Sequence, residues 1–194
     1  MRVWTMIYRG KIGRTLLWAG VPLLLLPITS LAQNTVIQTL NADIVPLGGL
    51  FTLNSRLALT KTDTTFRSFM GAMTLSYRAR TGEFTGQGSI TVKATSDFSP
   101  SGGPSIASPP NSSDKLTYTC SGATLGVSCG GVQTLSTTAA TTVVSMGASA
   151  CTGGGSPCST ANPNTANITL ILPDDPKYKT GSYSATLTFT ISAS

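Results

Sequence analysis

Apolar and polar residues alternate one by one along three segments of this sequence, and this pattern constrains the fold more than any other feature. In the segment 73–80 the apolar positions are Met73, Leu75, Tyr77 and Ala79. The segments 89–95 and 182–191 alternate in the same way. A strand with one buried face has a period of two residues, and no stretch of the sequence has a helical period with caps. The alternation therefore predicts an all-β chain.

Weaker strand patterns fill much of the remaining sequence, separated by Gly, Pro and Asn residues that favour turns. They cover 36–45, 50–60, 115–121, 132–137, 141–146 and 166–172. About eight to nine short strands with turns between them predict a single β-sandwich of immunoglobulin-like or pilin-like type. The segment 96–113 is rich in Ser, Pro and Gly and is too long for an ordinary hairpin. We expect it to form an exposed, flexible loop within the domain.

The first 32 residues have the composition of a secretory leader. Four basic residues and no acidic residue accompany an apolar run at 16–28. The run closes on Ser30, Leu31 and Ala32, which suit a signal peptidase, so we place cleavage before Gln33. A retained membrane anchor is the alternative. A spanning helix needs about 20 apolar residues, and this run is shorter and is interrupted by Pro22.

These features divide the chain into a signal peptide at 1–32 and one β-sandwich domain at 33–194. We expect the mature protein to be secreted, or to stay at the cell surface or in the periplasm. We expect no stable transmembrane anchor in the mature chain.

The charge of the mature domain argues against a nucleic-acid partner. The whole chain carries a formal charge of +6, but four of its 13 basic residues lie in the leader. The nine that remain face seven acidic residues, which leaves a net charge of +2 with both signs dispersed. No basic patch survives to bind nucleic acid. The nearly neutral surface favours close association with other proteins, either other copies of this chain or other surface subunits.

The four cysteines all follow the leader and will meet an oxidising compartment. They are Cys120, Cys129, Cys151 and Cys158. Four cysteines allow three full pairings. The simplest joins Cys120 to Cys129 and Cys151 to Cys158, so that each bridge closes a short Gly-containing loop. Zinc is the alternative, but the chain has no C-x-x-C spacing and no histidine.

The sequence contains no catalytic constellation. The absence of histidine excludes Ser-His-Asp and Cys-His arrangements. Glu83 in a Gly-rich turn and the adjacent Asp174 and Asp175 are the carboxylates to consider for glycoside hydrolysis or calcium binding. A solvated loop residue and a turn stabilised by Asp and Pro are the simpler explanations, because the alternating ligand spacing of calcium loops is missing. We expect no enzymatic activity, no cofactor and no metal.

A monomeric secreted module that binds glycan or protein is an alternative function. Such modules stack sugar rings on exposed aromatic side chains. Both tryptophans lie in the leader. The aromatic residues near predicted turns are Phe66, Phe84, Phe98 and Tyr178. We expect these residues to fill the ends of the sandwich, with one or two of them exposed. In this alternative the ligand contacts come from loops such as 96–113 and 151–158.

The two ends of the mature chain both have strand character. The segment 35–45 follows the cleavage site directly, and the clearest predicted strand, 182–191, lies within a few residues of Ser194. An exposed edge can pair with a strand of another molecule, and pilus subunits polymerise in this way. The simpler alternative is that both termini pair inside their own sandwich. Strand addition predicts a surface structural or adhesive subunit.

The closing segment 179–191, Lys-Thr-Gly-Ser-Tyr-Ser-Ala-Thr-Leu-Thr-Phe-Thr-Ile, resembles the final strand of several bacterial surface families. It is similar to the G-x-Y motif and terminal strand of spore coat protein U-type and fimbrial proteins, and to the end of WxL cell-wall domains. Phe189 stands where the WxL pattern has tryptophan, and no cysteine follows the mature N-terminus as it does in coat protein U. The resemblance implies a bacterial envelope or surface β-sandwich and transfers no functional residue.

Overall fold

The computed structural model describes residues 39–52, 56–154 and 158–194, and within them it contains ten strands and no helix. The strands are β1 (Leu47–Thr52), β2 (Thr60–Lys61), β3 (Ser68–Arg80), β4 (Gly88–Ala94), β5 (Thr117–Ser121), β6 (Val127–Ser128), β7 (Gln133–Thr134), β8 (Thr141–Met146), β9 (Asn164–Pro173) and β10 (Leu187–Ala193). The predicted signal peptide at 1–32 lies outside the described residues. Residues 42–194 form one compact unit.

The strands form two antiparallel sheets. The first has the order β1-β3-β9-β5-β7, and β2 pairs with β3 beyond the end of β1. The second has the order β10-β4-β8-β6. Every strand pair is antiparallel. Because the described residues form strands and no helix, the all-β prediction is confirmed.

Alternation along the strands directs one face of each sheet into a single core. On β3, Leu75, Tyr77 and Ala79 are buried while Thr74 and Arg78 are exposed. The same core takes apolar side chains from β4 and β8 of the second sheet and from β5 and β9 of the first. The period-two alternation in the sequence therefore reflects burial, because each of these strands places one face against the core.

Four predicted strands differ markedly from the structure, and the one predicted at 132–137 is reduced to the two residues of β7. The described part of 36–45 contains no strand, since the first strand begins at Leu47. The segment 50–60 is divided between the end of β1 and the start of β2, and residues 56–59 between them are not in a strand. The strand predicted at 182–191 begins at Leu187 and runs to Ala193.

The late start of β10 has a local cause. Thr95 donates its N–H to the carbonyl of Thr186 at 2.8 Å, which continues the pairing of β4 with β10 by one residue. Beyond that point the register shifts, and Ser99 pairs with Ser184 in an isolated bridge. The residues before Leu187 thus follow the irregular path of the segment after β4. Sequence alternation at 182–186 does not record this shift.

The segment 96–113 is folded back on itself around Asp97. Its Oδ1 accepts hydrogen bonds from the N–H groups of Phe98 at 2.8 Å and Ile106 at 2.6 Å, and its Oδ2 accepts one from Oγ of Ser105 at 2.6 Å. These bonds fold the segment back on itself and bring Ile106 into the core. The glycine at Gly103 lies flat against the ring of Tyr183.

The structure joins Cys120 to Cys129 and Cys151 to Cys158, with Cα–Cα distances of 5.3 and 4.4 Å. These are the two local pairs among the three possible schemes. Each bridge closes a short loop, with sequence separations of 9 and 7 residues. Two disulfides in so small a domain indicate an oxidising extracellular or periplasmic environment.

Candidate functional site

The outer edge of β10 is the longest strand edge that the second sheet leaves unpaired in the described part of the chain. β10 pairs with β4 along its other side over seven residues. Thr95 N–H donates to the carbonyl of Thr186, and Ser194 N–H donates to the carbonyl of Gln87. Even-numbered residues therefore direct their backbone groups toward β4. Because alternate residues of a strand point their backbone groups to opposite sides, the odd-numbered residues direct theirs outward.

The odd-numbered residues of β10 also carry its apolar side chains. Leu187, Phe189 and Ile191 pack against the core but are only partly buried, and they alternate with exposed polar residues. On the neighbouring strand β4, Ile90, Val92 and Ala94 are at most 2% exposed. The difference arises from position, because β4 has a strand on both sides and β10 has one on a single side. The core is thus incompletely covered along this edge.

The edge strand of the first sheet lies beside this opening. A Cβ atom added at Gly48 of β1 would lie 2.9 Å from Cγ1 of Ile191, so the two strands touch there without a side chain between them. Leu50, also on β1, packs against the same core. β1 and β10 therefore form the two walls of a partly covered apolar seam between the sheets, which we call the β1–β10 seam.

The segment that leads into β1 is exposed. Residues 42–46 have no regular structure, and Ile44 is 72% exposed. Arg80 donates from Nε to the carbonyl of Val45 at 2.9 Å, which fixes the point where the segment meets the domain. The described part of the segment 35–45 alternates in sequence, with Leu40, Ala42 and Ile44 apolar at even positions. Residues 35–38 of this predicted strand lie outside the described part of the chain.

A shallow groove of about 420 Å³ opens between the β3–β4 loop and the ends of β6 and β8. Its apolar lining includes Phe84 and Val127, which are 84% and 69% exposed, and the buried Met146. Gln87 and Ser145 contribute polar groups. None of the described residues that line this groove has an ionisable side chain. The sequence suggested two loops for ligand contacts, 96–113 and 151–158, and no described residue of either loop lines the groove.

Phe84 and Phe66 are the two predicted turn aromatics that the structure leaves mostly exposed. Phe66 is 63% exposed, with the ammonium of Lys61 5.3 Å from its ring centre. Phe98 packs against the core instead. Val127 and Met146 could not be recognised from the sequence as neighbours of Phe84, because the pairing of β8 with β6 and with β4 brings these segments together.

The carboxylates considered for metal binding have protein partners. Asp174 forms an ion pair with Lys61 at 2.9 Å, and Asp175 accepts the N–H of Lys177 at 2.7 Å in a tight turn. The side-chain Nδ2 of Asn111 donates hydrogen bonds to Oδ2 of Asp175 at 2.6 Å and to Oδ2 of Asp114 at 2.8 Å. Within the described residues, no three His, Cys, Asp or Glu side chains are grouped so as to hold a metal ion.

The pKa of Tyr178 is shifted by its burial next to these aspartates. Burial, followed by the negative charges of Asp114, Asp175 and Asp174, raises the pKa of Tyr178 to about 12. Its hydroxyl oxygen is buried and has no hydrogen-bond partner among the described residues. Tyr178 thus has an apolar ring and an unpaired hydroxyl in an acidic setting, which is unsuited to stacking against a ligand in solvent.

In the described part of the chain, no helix has the length and apolar character needed to cross a membrane. The sequence matches no protein-family model and no curated protein.

Proposed function

We propose that this chain is an exported, non-enzymatic structural or adhesive subunit of a bacterial surface, built as a pilin-like β-sandwich whose copies join by β-strand addition. The observation that carries the proposal is the incompletely covered edge of β10, together with the strand-like sequence of the segment 35–45, whose described residues 39–45 are exposed. The exported location rests on the leader sequence and on two disulfides.

An added strand would both form backbone hydrogen bonds with the β10 edge and cover its apolar side chains. Leu187, Phe189 and Ile191 direct both their backbone hydrogen-bonding groups and their half-covered side chains toward the β1–β10 seam. Main-chain bonds along such an edge supply affinity, and alternate side chains that enter the core supply specificity. The free energy gained by adding a strand comes largely from burial of the apolar side chains that β10 leaves partly exposed.

Within the segment 35–45, residues 39–44 have the pattern that such a strand requires. As a strand, it would direct Leu40, Ala42 and Ile44 to one face and Thr39, Asn41 and Asp43 to the other. The apolar face suits the seam, while the polar face suits solvent. The segment and the seam are different surfaces of the domain, so their contact between copies is heterologous and can repeat from one copy to the next.

The test begins with the mass of the oxidised mature protein, from Gln33 onward, by light scattering after size exclusion. Oligomers that resist mild denaturant, and that disappear when 35–45 is deleted, are the expected result. A folded monomer with and without the segment would contradict assembly by strand addition. A monomer in which the segment 35–45 covers the β10 edge of its own molecule would also contradict it. In that case the Phe189 amide would be protected from hydrogen exchange in the full-length protein and would lose this protection when 35–45 is deleted.

Two matched substitutions locate the face that enters the seam. Leu40→Asp and Asn41→Asp each add one negative charge at neighbouring positions, but only the first places it on the apolar face. Burial of an unpaired charge is strongly unfavourable, so Leu40→Asp should abolish the oligomers while Asn41→Asp retains them. Equal loss in both variants would contradict the proposed orientation.

A monomeric binding module is the second candidate, and the groove beside Phe84 is the observation that favours it. This candidate predicts ligand binding by a monomer, with no effect of deleting 35–45.

A further inference from the structure

We propose that the groove between Phe84 and Val127 is a binding site for a neutral glycan, formed by the β3–β4 loop and the ends of β6 and β8. This site is separate from the proposed strand addition, because none of the β10 residues that face the β1–β10 seam lines it. A surface subunit with both features would assemble through one and bind through the other.

Phe84 supplies the stacking surface. Its ring is 84% exposed, although it follows directly on a structured turn in which Ser149 donates from Oγ to the carbonyl of Glu83. An exposed aromatic ring offers a flat apolar face of the kind that packs against the C–H face of a pyranose. Val127 and Met146 also line the groove and extend its apolar surface.

Gln87 and Ser145 supply the polar contacts. Both side chains are exposed at the groove, and neither makes a hydrogen bond to any described residue. The backbone N–H and carbonyl of Gln87 are fixed by Ser194, so the amide side chain projects from a tethered position. An amide and a hydroxyl can both donate and accept, as sugar hydroxyls also do. The site thus presents an apolar wall with a few polar groups, the usual make-up of a small-ligand site.

The lining also limits the charge of the ligand. Among the described residues that line the groove, none has an ionisable side chain that would compensate the desolvation of an anionic or cationic sugar. Its volume of about 420 Å³ falls within the usual range for small-ligand sites and suits one or two sugar rings. A neutral oligosaccharide is therefore the class of ligand that fits.

The experiment measures binding of neutral tetrasaccharides to the oxidised mature protein by isothermal titration calorimetry. The probes are cellotetraose, maltotetraose and chitotetraose, with a sulfated heparin tetrasaccharide as the charged comparison, each up to about 10 mM. We expect saturable binding of at least one neutral probe and none of the charged one. No binding of any neutral probe would overturn the proposal, and so would equal binding of the charged probe.

Two pairs of variants assign the binding to the groove. Phe84→Ala removes the stacking ring, and Phe66→Ala removes a second exposed ring, which does not line the groove. Gly147→Leu fills the groove, and Gly130→Leu adds the same side chain elsewhere. A Cβ atom at either glycine would meet no atom within 4 Å, so both variants should fold normally.

Phe84→Ala and Gly147→Leu should each weaken binding at least about tenfold, and the two controls should leave it unchanged. Equal weakening by a control, or unchanged binding in both groove variants, would overturn the site. Strand addition is tested by the oligomeric state of the protein, so failure of one proposal is distinguishable from failure of the other.

Discussion

Asn164 donates a hydrogen bond from Nδ2 to Oγ1 of Thr152 over 2.7 Å, and the Asn164 side chain is fully buried. Its Oδ1 accepts a second bond from Oγ1 of Thr124 at 3.0 Å. Thr124 lies in the loop closed by the first disulfide, and Thr152 lies in the loop closed by the second. One buried amide on β9 therefore joins both disulfide loops.

Replacing this amide should cost stability in the oxidised protein. Asn164→Leu keeps a similar volume but removes both hydrogen bonds of a fully buried amide, the one to Thr152 and the one from Thr124. We expect the free energy of unfolding to fall by about 1–3 kcal/mol in urea titrations. The control is Thr74→Val, which removes the exposed bond from Thr74 to Asn167 and should cost at most about 0.5 kcal/mol. Equal losses would contradict a special role for the buried amide.

Gly103 should tolerate no side chain. A Cβ atom there would lie 2.3 Å from the ring of Tyr183, which is held in place because its hydroxyl donates to the carbonyl of Lys179 at 2.6 Å. Gly103→Ala should destabilise the domain by about 1–3 kcal/mol, measured by thermal or urea unfolding. Gly130→Ala adds the same methyl group in open space and serves as the control.

A double-mutant cycle distinguishes a clash with the ring from a general effect on the loop. Tyr183→Leu removes the ring, so Gly103→Ala should cost much less in that background. An unchanged cost would show that the tyrosine ring is not what excludes the methyl group.

Stability should fall in acid partly through Asp97. Burial acts to raise the pKa of this carboxyl, but hydrogen bonds from Ser105, Ile106, Phe98 and Ala107 outweigh it and hold the pKa below the ordinary value. A lowered folded-state pKa means that the contribution is present above the unfolded-state pKa, about 3.9, and is lost as the pH falls through the folded-state value. Asp97→Asn should therefore be less stable than the parent at pH 7. The difference should disappear in strong acid, and a constant difference at all pH values would contradict this account.

Tyr178 should act at the opposite end of the pH range. Its pKa of about 12 lies above the ordinary value of about 10, because the folded state favours the neutral phenol. Its contribution is full below pH 10 and is lost as the pH rises through 12. Following tyrosinate absorbance, we expect Tyr178→Phe to remove a late titration step. Because the hydroxyl has no described partner, the variant should be as stable as the parent at pH 7 or more so.

The sequence predicted the core positions of the fold better than it predicted the edge strand β10. Alternation identified Leu75, Tyr77 and Ala79 as core residues because burial of one strand face imposes a period of two. It also identified β10, but not its start at Leu187, since the register shift at Ser99 depends on a segment some 90 residues away in sequence. The groove beside Phe84 was not predicted at all.

The sequence by itself determined the strand character of the chain, the absence of histidine chemistry and the set of four cysteines. Each of these follows from local pattern or composition, which any fold of the chain must respect. Only the tertiary structure decided which strand lies at an edge, which aromatic ring is exposed and which loops Asn164 joins. Those outcomes depend on pairing between distant segments, and one residue's local sequence contains no record of its partner across the sheet.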